Sequence, residues 1–122
     1  MKLTVRTDGF EGWAKRSRAR WKKMDRGERI EPSFGITFES PLDMLQVLTA
    51  ERMRLCQVAR TKAFSVSGLA RALKRDPKSV RRDVQKLESF GVLRTRMEVN
   101  PGHGRVKIVE PVAASFELRA RF

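Results

Sequence analysis

The segment Ser65 to Val92, SVSGLARALKRDPKSVRRDVQKLESFGV, constrains the fold of this chain more than any other stretch. It reads as two helices joined by a tight turn. The second helix has clear boundaries. Asp76 is a good N-cap, and Pro77 fits the first helical position, where a missing N–H costs nothing. Gly91 follows the last periodic residue and can adopt the left-handed conformation that closes a helix. Pro77 to Phe90 therefore spans roughly 21 Å at ~1.5 Å per residue. Val80, Val84 and Leu87 follow an i, i+4, i+7 spacing and form one apolar stripe. At ~100° per residue, Lys78, Arg82, Gln85 and Ser89 point nearly opposite it, flanked by Arg81 and Lys86. The helix's two acids, Asp83 and Glu88, fall nearer the apolar side. Arg and Lys donate to guanine O6/N7 and to phosphates, Gln pairs with adenine, and Ser contacts either. A line of these residue types suits a helix lying in the major groove of duplex DNA. The competing reading is a solvated basic face. Lys78, Ser79, Arg82 and Gln85 are the base-edge candidates.

The flanking elements fit the first reading. The preceding helix runs from about Val66 to Lys74, capped by Ser65 or Ser67, with Val66, Leu69, Ala70 and Leu73 inward. Arg75-Asp76-Pro77 is the turn. The N-terminus of that first helix can bind a phosphate, which makes Ser65 and Ser67 backbone-contact candidates. Upstream, Thr49 to Arg60 reads as a third helix capped by Thr49, with Met53, Cys56 and Ala59 as its stripe and Leu55 beside it. Downstream, Val92–Val99, a Gly-rich turn (Asn100-Pro101-Gly102-His103-Gly104) and Arg105–Val109 predict a β-hairpin carrying Arg94, Arg96, Arg105 and Lys107. Arg81, Lys86, Arg94, Arg96 and Arg105 are the candidates for phosphates or the minor groove.

The order helix, helix, helix, hairpin resembles the winged helix-turn-helix superfamily. More closely, the chain resembles a MarR-like family of small DNA-binding proteins of bacteria and archaea. The matching segments are FESPLDMLQVLTAERMRL, FSVSGLARALKRDPKSVRRDVQKLESFGVL, and the hairpin with its exit strand, roughly Phe38 to Val112. The motif is LARAL-x-RD-x-x-SV-x-RDV-x-x-LE-x-x-GV. The resemblance implies an α+β fold: a three-helix core with a β-hairpin wing, here with an extra N-terminal strand and helix and a C-terminal strand. It implies a sequence-specific, double-stranded-DNA-binding transcriptional repressor. Members often sit beside small toxin genes, which implies an antitoxin that binds a toxin protein and autoregulates its operon. The alternatives are a stand-alone MarR-like regulator without a toxin and an RNA-binding protein.

Charge supports a polyanionic partner. The chain of 122 residues has 27 Lys and Arg against 14 Asp and Glu, a net charge of +13. The excess is uneven. Residues 1–32 hold ten basic and five acidic residues, residues 65–100 hold nine and four, and residues 33–64 hold four and three. No apolar run approaches the ~18 residues of a membrane span, and MKLTVRTDGF lacks the apolar core of a signal peptide. A cytoplasmic protein is expected. Cys56, the only cysteine, lies on an apolar helix face and reads as a core residue. His103, the only histidine, lies in the hairpin turn; it reads as a loop residue that can touch phosphate. One histidine and one distant cysteine make neither a zinc site nor a nucleophile–base pair. Asp76 and Asp83 read as a cap and a salt-bridge partner. No enzyme, metal or cofactor is expected.

The ends are read from alternation and amphipathicity. Met1 to Thr7 predicts a strand and Phe10 to Met24 a helix, with Phe10, Trp13, Ala14, Trp21 and Met24 on one face and basic residues on the rest. This basic segment can pack on the domain or a second subunit, order on a partner, or act as an extra phosphate-contacting arm; binding to a membrane surface is a further alternative, opposed by Asp25, Glu28 and Glu31 close behind. Gly27 to Pro32 reads as a linker. Phe34, Ile36 and Phe38 predict a strand. Ser40-Pro41 starts a short helix whose apolar side is Leu42, Leu45 and Leu48 with Met44. Ala114, Phe116, Leu118, Ala120 and Phe122 alternate as a strand that needs a partner, either Met1–Thr7 of the same chain or a second copy. A homodimer is expected, with Trp13, Trp21, Phe116 and Leu118 as interface candidates. The expected division is 1–32 as an N-terminal arm, 33–112 as the winged domain and 113–122 as a C-terminal strand.

Overall fold

The structure, a computed structural model, describes residues 2–30, 34–102 and 104–121, the Phe34 side chain excepted. His103, Phe122 and the end of the expected linker lie outside the described residues. In chain order the elements are β1 (Lys2–Arg6), α1 (Gly9–Asp25), β2 (Phe34–Thr37), α2 (Pro41–Val47), α3 (Ala50–Ala59), β3 (Phe64–Ser65), α4 (Val66–Leu73), α5 (Pro77–Ser89), β4 (Leu93–Asn100), β5 (Gly104–Pro111) and β6 (Ser115–Arg119). They form two compact units, Val47–Val112 and Met1–Gln46 with Ala113–Phe122.

The unit Val47–Val112 is an α+β winged helix-turn-helix. Helices α3, α4 and α5 combine with an antiparallel sheet of order β3-β5-β4, of which β3 lies between α3 and α4 and the hairpin β4–β5 follows α5. Leu55, Leu69, Val80, Val84, Leu87 and Val109 are all at most 2% exposed and make its core. Removing such a side chain costs about 2–5 kcal/mol, from lost transfer energy plus the cavity left behind. Thr49 and Ser65 cap α3 and α4 by accepting from the Arg52 and Gly68 amides at 3.3 and 3.0 Å. In α3 the buried residues are Leu55, Cys56 and Ala59, while Met53 is half-buried. The stripe is therefore rotated toward Leu55 from its expected position. β3 was not expected. Two residues give no readable period, and Phe64 and Ser65 become strand by pairing with Val109 and Ile108.

The second unit is built on a parallel sheet of order β2-β1-β6. β6 pairs with β1 of the same chain, Leu3 opposite Phe116 and Val5 opposite Leu118. Alternation gives this sheet one apolar face (Leu3, Val5, Ile36, Phe116, Leu118) and one hydrophilic face (Lys2, Thr4, Arg6, Thr37, Glu117, Arg119). Residues 34–46 belong with the N-terminal segment because β2 pairs with β1, so this grouping differs from the expected division at residue 33.

α1 begins at Gly9, which is buried at φ +60; a Cβ there would come within 2.5 Å of the Glu39 carboxylate. The expected packing face of α1 is open to solvent in this chain: Phe10, Trp13, Trp21 and Met24 are 53–68% exposed. α2 also differs from expectation. Met44, Val47 and Leu48 are buried, spaced three and four apart, whereas Leu42 and Leu45 lie on the other arc and are exposed.

Candidate nucleic-acid interface

The outward line of α5 depends on how firmly its other side is held. At its start, Asp76 accepts from the Ser79 amide at 3.3 Å, and Pro77 occupies the first turn. At its end, Gly91 takes φ +79, its amide donates to the Glu88 carbonyl at 3.0 Å, and the Val92 amide donates to the Leu87 carbonyl at 3.0 Å. That pair of bonds is the Schellman closure a glycine permits. α4 ends the same way with Lys74 at φ 54: the Lys74 and Arg75 amides donate to the Arg71 and Ala70 carbonyls at 3.2 and 3.0 Å. The turn into α5 is thus fixed by backbone bonds.

A charged clamp adds to this. Asp83 is 9% exposed and accepts from Arg52 Nε at 3.1 Å and from an Arg75 guanidinium nitrogen at 2.7 Å. Arg52 also donates to the Val47 carbonyl at 3.0 Å, and Arg75 to Ser79 Oγ at 2.8 Å. One carboxylate thereby joins α3, the α4–α5 turn and α5. Asp76 and Asp83 are the cap and the salt-bridge partner that the sequence suggested. Arg52 and Arg75 were missed. Asp83 lies between the stripe and the outward line, and that position signals a buried partner without saying which cation supplies it.

The opposite face of α5 is open. Lys78, Arg81, Arg82, Gln85 and Lys86 are exposed. Among the described residues, no side-chain hydrogen bond or ion pair holds Lys78, Arg81, Arg82 or Gln85. Lys86 Nζ lies 5.3 Å from the centre of the Phe90 ring. Ser79 differs: it is half-buried and its hydroxyl is taken by Arg75, so it sits on the flank shared with Asp83 rather than in the line. Ser65 is half-buried and spends its hydroxyl oxygen on the Gly68 amide, whereas Ser67 is exposed.

The hairpin carries its cations in two ways. Arg94 and Arg96 both donate to Glu110, Arg94 Nε at 3.1 Å, and Arg96 also donates to Glu98 at 2.8 Å. The Arg96 hydrogen bond holds the Glu110 carboxyl below its ordinary range, and the same bond raises Arg96. Arg105 and Lys107 lie on the other face, opposite Val99 and Met97, and form no ion pair among the described residues. Val99 and Met97 are 71% and 56% exposed there.

The four interface candidates fall into two pairs. Trp13 and Trp21 are exposed on α1, and Phe116 and Leu118 lie on the apolar face of the sheet. α1 lines the hydrophilic face, so the two pairs are on opposite sides of the sheet. Among the described residues no three His, Cys, Asp or Glu side chains are grouped to hold a metal, and no helix is long and apolar enough to cross a membrane.

A family model described as HVO_A0114 matches residues 47–110, which is 64 of the 122 residues. The chain is similar in structure to a possible transcriptional regulator of Methanosarcina mazei Go1, at 21% identity and a TM-score of 0.50. That likeness covers 57% of this chain and 62% of the other, less than two thirds of its length, and bears on the fold alone. Looser likenesses are to a homodimeric winged helix-turn-helix DNA-binding domain of Mycobacterium bovis (16% identity, TM-score 0.47, 59% and 67% covered) and to Lactococcus lactis ZitR in complex with DNA (12%, 0.49, 88% and 68%). No curated protein matches the chain.

Proposed function

The chain belongs to the HVO_A0114 family, and from that premise we propose that it is a sequence-specific double-stranded-DNA-binding protein that represses transcription. α5 lies in the major groove, with Lys78, Arg82 and Gln85 toward base edges and Ser79 at their flank. Arg81, Lys86, Ser67 and the uncommitted wing residue Arg105 take the phosphates and the minor groove, Ser65 serves there as the cap of the α4 N-terminus, and Arg94 and Arg96 reach a phosphate only by exchanging Glu110 for it. One observation carries this reading: a helix locked on one side by Val80, Val84, Leu87 and the Asp83 clamp leaves Lys78, Arg82 and Gln85 unengaged on the other. Side chains that spend nothing on the fold are free to pair with bases. No catalytic step belongs to this role.

The test is a titration of a duplex selected from random sequence, with RNA and a scrambled duplex as competitors. Arg82→Ala is expected to cost roughly 1–3 kcal/mol on the selected site and to relax preference at one base position. Undiminished specific binding by that variant, or preference for RNA, would overturn the assignment.

Two copies would present two such helices to half-sites about one helical turn apart. The MarR-like resemblance adds an antitoxin role with a small toxin protein as partner. The exposed aromatic stripe of α1 supports a protein contact of one kind or the other. Co-expression with the product of the adjacent gene tests the antitoxin role. A complex lost in Trp21→Ser, with duplex binding retained, supports it; no complex with the unaltered chain rejects it.

A further inference from the structure

Between α1 and the hydrophilic face of the β2-β1-β6 sheet lies a cleft of about 740 Å³. Among the described residues six cations line it, Lys2 and Arg6 from β1, Arg16, Arg20 and Lys23 from α1, and Arg29 beyond it, and no carboxylate does. Two of them are neutralised nearby, Lys2 by Glu117 at 2.8 Å and Arg16 by Asp8. Arg6, Arg20, Lys23 and Arg29 form no ion pair among the described residues. Burial together with the neighbouring Arg16 and Arg119 cations holds Arg6 below its ordinary pKa.

Folding does not account for this arrangement. A helix that covers a sheet does so with its apolar stripe on an apolar face. Here Phe10, Trp21 and Met24 are turned to solvent, and α1 spans the polar face instead. Like charges gathered in a concave site raise the local potential and cost stability unless an anion relieves them.

We propose that this cleft binds a nucleoside polyphosphate. The phosphates meet Arg6, Arg20, Lys23 and Arg29, and the base stacks on Trp13, a 53%-exposed ring at the lining. Arg16 donates to Thr37 Oγ1 at 3.0 Å and ties the helix to β2, so the space is walled on two sides. A compact ligand suits such a space better than a continuous strand, and the volume is in the range of small-molecule sites. The site is independent of the DNA-binding reading, since it shares no residue with α5 or the wing.

The experiment is isothermal titration of the full chain at physiological salt with ATP, tripolyphosphate, adenosine and a short single-stranded oligonucleotide, with tryptophan fluorescence as a second readout. Saturable one-to-one binding of ATP is expected, displaced by tripolyphosphate but not by adenosine. The Arg20→Ala/Lys23→Ala variant, altered only at exposed helix positions, is expected to bind ATP at least roughly tenfold more weakly. Trp13→Leu is expected to lose the fluorescence response. Duplex binding should be unchanged in both, and Arg82→Ala should retain ATP binding. Absence of ATP binding, equal binding by the double variant, or an oligonucleotide held more tightly than ATP would each overturn the proposal.

Discussion

Asp83 shows how much one side chain can hold. Its two oxygens are shared between Arg52 and Arg75, and all three side chains are at most 21% exposed. Breaking such a cluster takes the shared carboxylate away from two poorly solvated guanidinium groups, and leaves Arg75 with the more distant, exposed Glu51 at 3.7 Å. Asp83→Asn is expected to lose about 2–4 kcal/mol of stability, measured by urea denaturation followed by circular dichroism. Cys56 gives a pH dependence. Burial pushes its thiol up to about 11 from an ordinary 9.0. The native state keeps the proton that the unfolded chain gives up first. Its contribution is therefore complete below about pH 9 and declines as pH rises toward 11. Cys56→Ala is expected to flatten the stability-against-pH curve in that window. Asp76 and Gly91 were legible in the sequence because caps are local chemistry. The partners of Asp83 were not, since Arg52 stands 31 residues away and nothing in a linear spacing announces it.

At the level of elements, periodicity served α5 and the hairpin well and served α2 poorly. α5 presents Val80, Val84 and Leu87 inward because thirteen residues define a stripe. α2 has seven, too few to choose between two overlapping arcs, and Leu42 and Leu45 proved to be outside. The hairpin's strands were readable, but the cross-strand pairing that engages Arg94 and Arg96 was not: Arg94 faces Glu110 only through the register. This has a consequence for the wing. Arg105 is uncommitted, so Arg105→Ala should weaken binding to all duplexes alike and reduce the slope of log K against log salt by about 1. Glu110→Gln should act in the opposite sense, releasing Arg94 and leaving Arg96 to Glu98 alone, and so steepening that slope.

For the whole molecule, a net charge of +13 signalled a polyanionic partner, but charge alone did not reveal that the N-terminal cations would gather around a cleft. That required the parallel pairing of β1 with two strands far from it in sequence. Alternation left open whether the last strand joins its own chain or another. Within this chain it joins β1, and the edges of the sheet are β2 and β6. The stripe on α1 remains uncovered. If two copies associate through it, Trp21→Ser should shift the sedimentation coefficient toward the monomer, and an unchanged coefficient would remove α1 from the interface.

The partnership of Lys2 with Ser115 and of Arg6 with Arg119 also orders events during synthesis. The stretch 47–112 is contiguous, so it can fold without waiting for any later residue. β1 is made before β6 and can acquire its second neighbour only when β6 emerges. Until then it is a bare template for β-addition. Chains stalled before residue 115 should therefore be the ones that clump, or that are handed to chaperones, during translation.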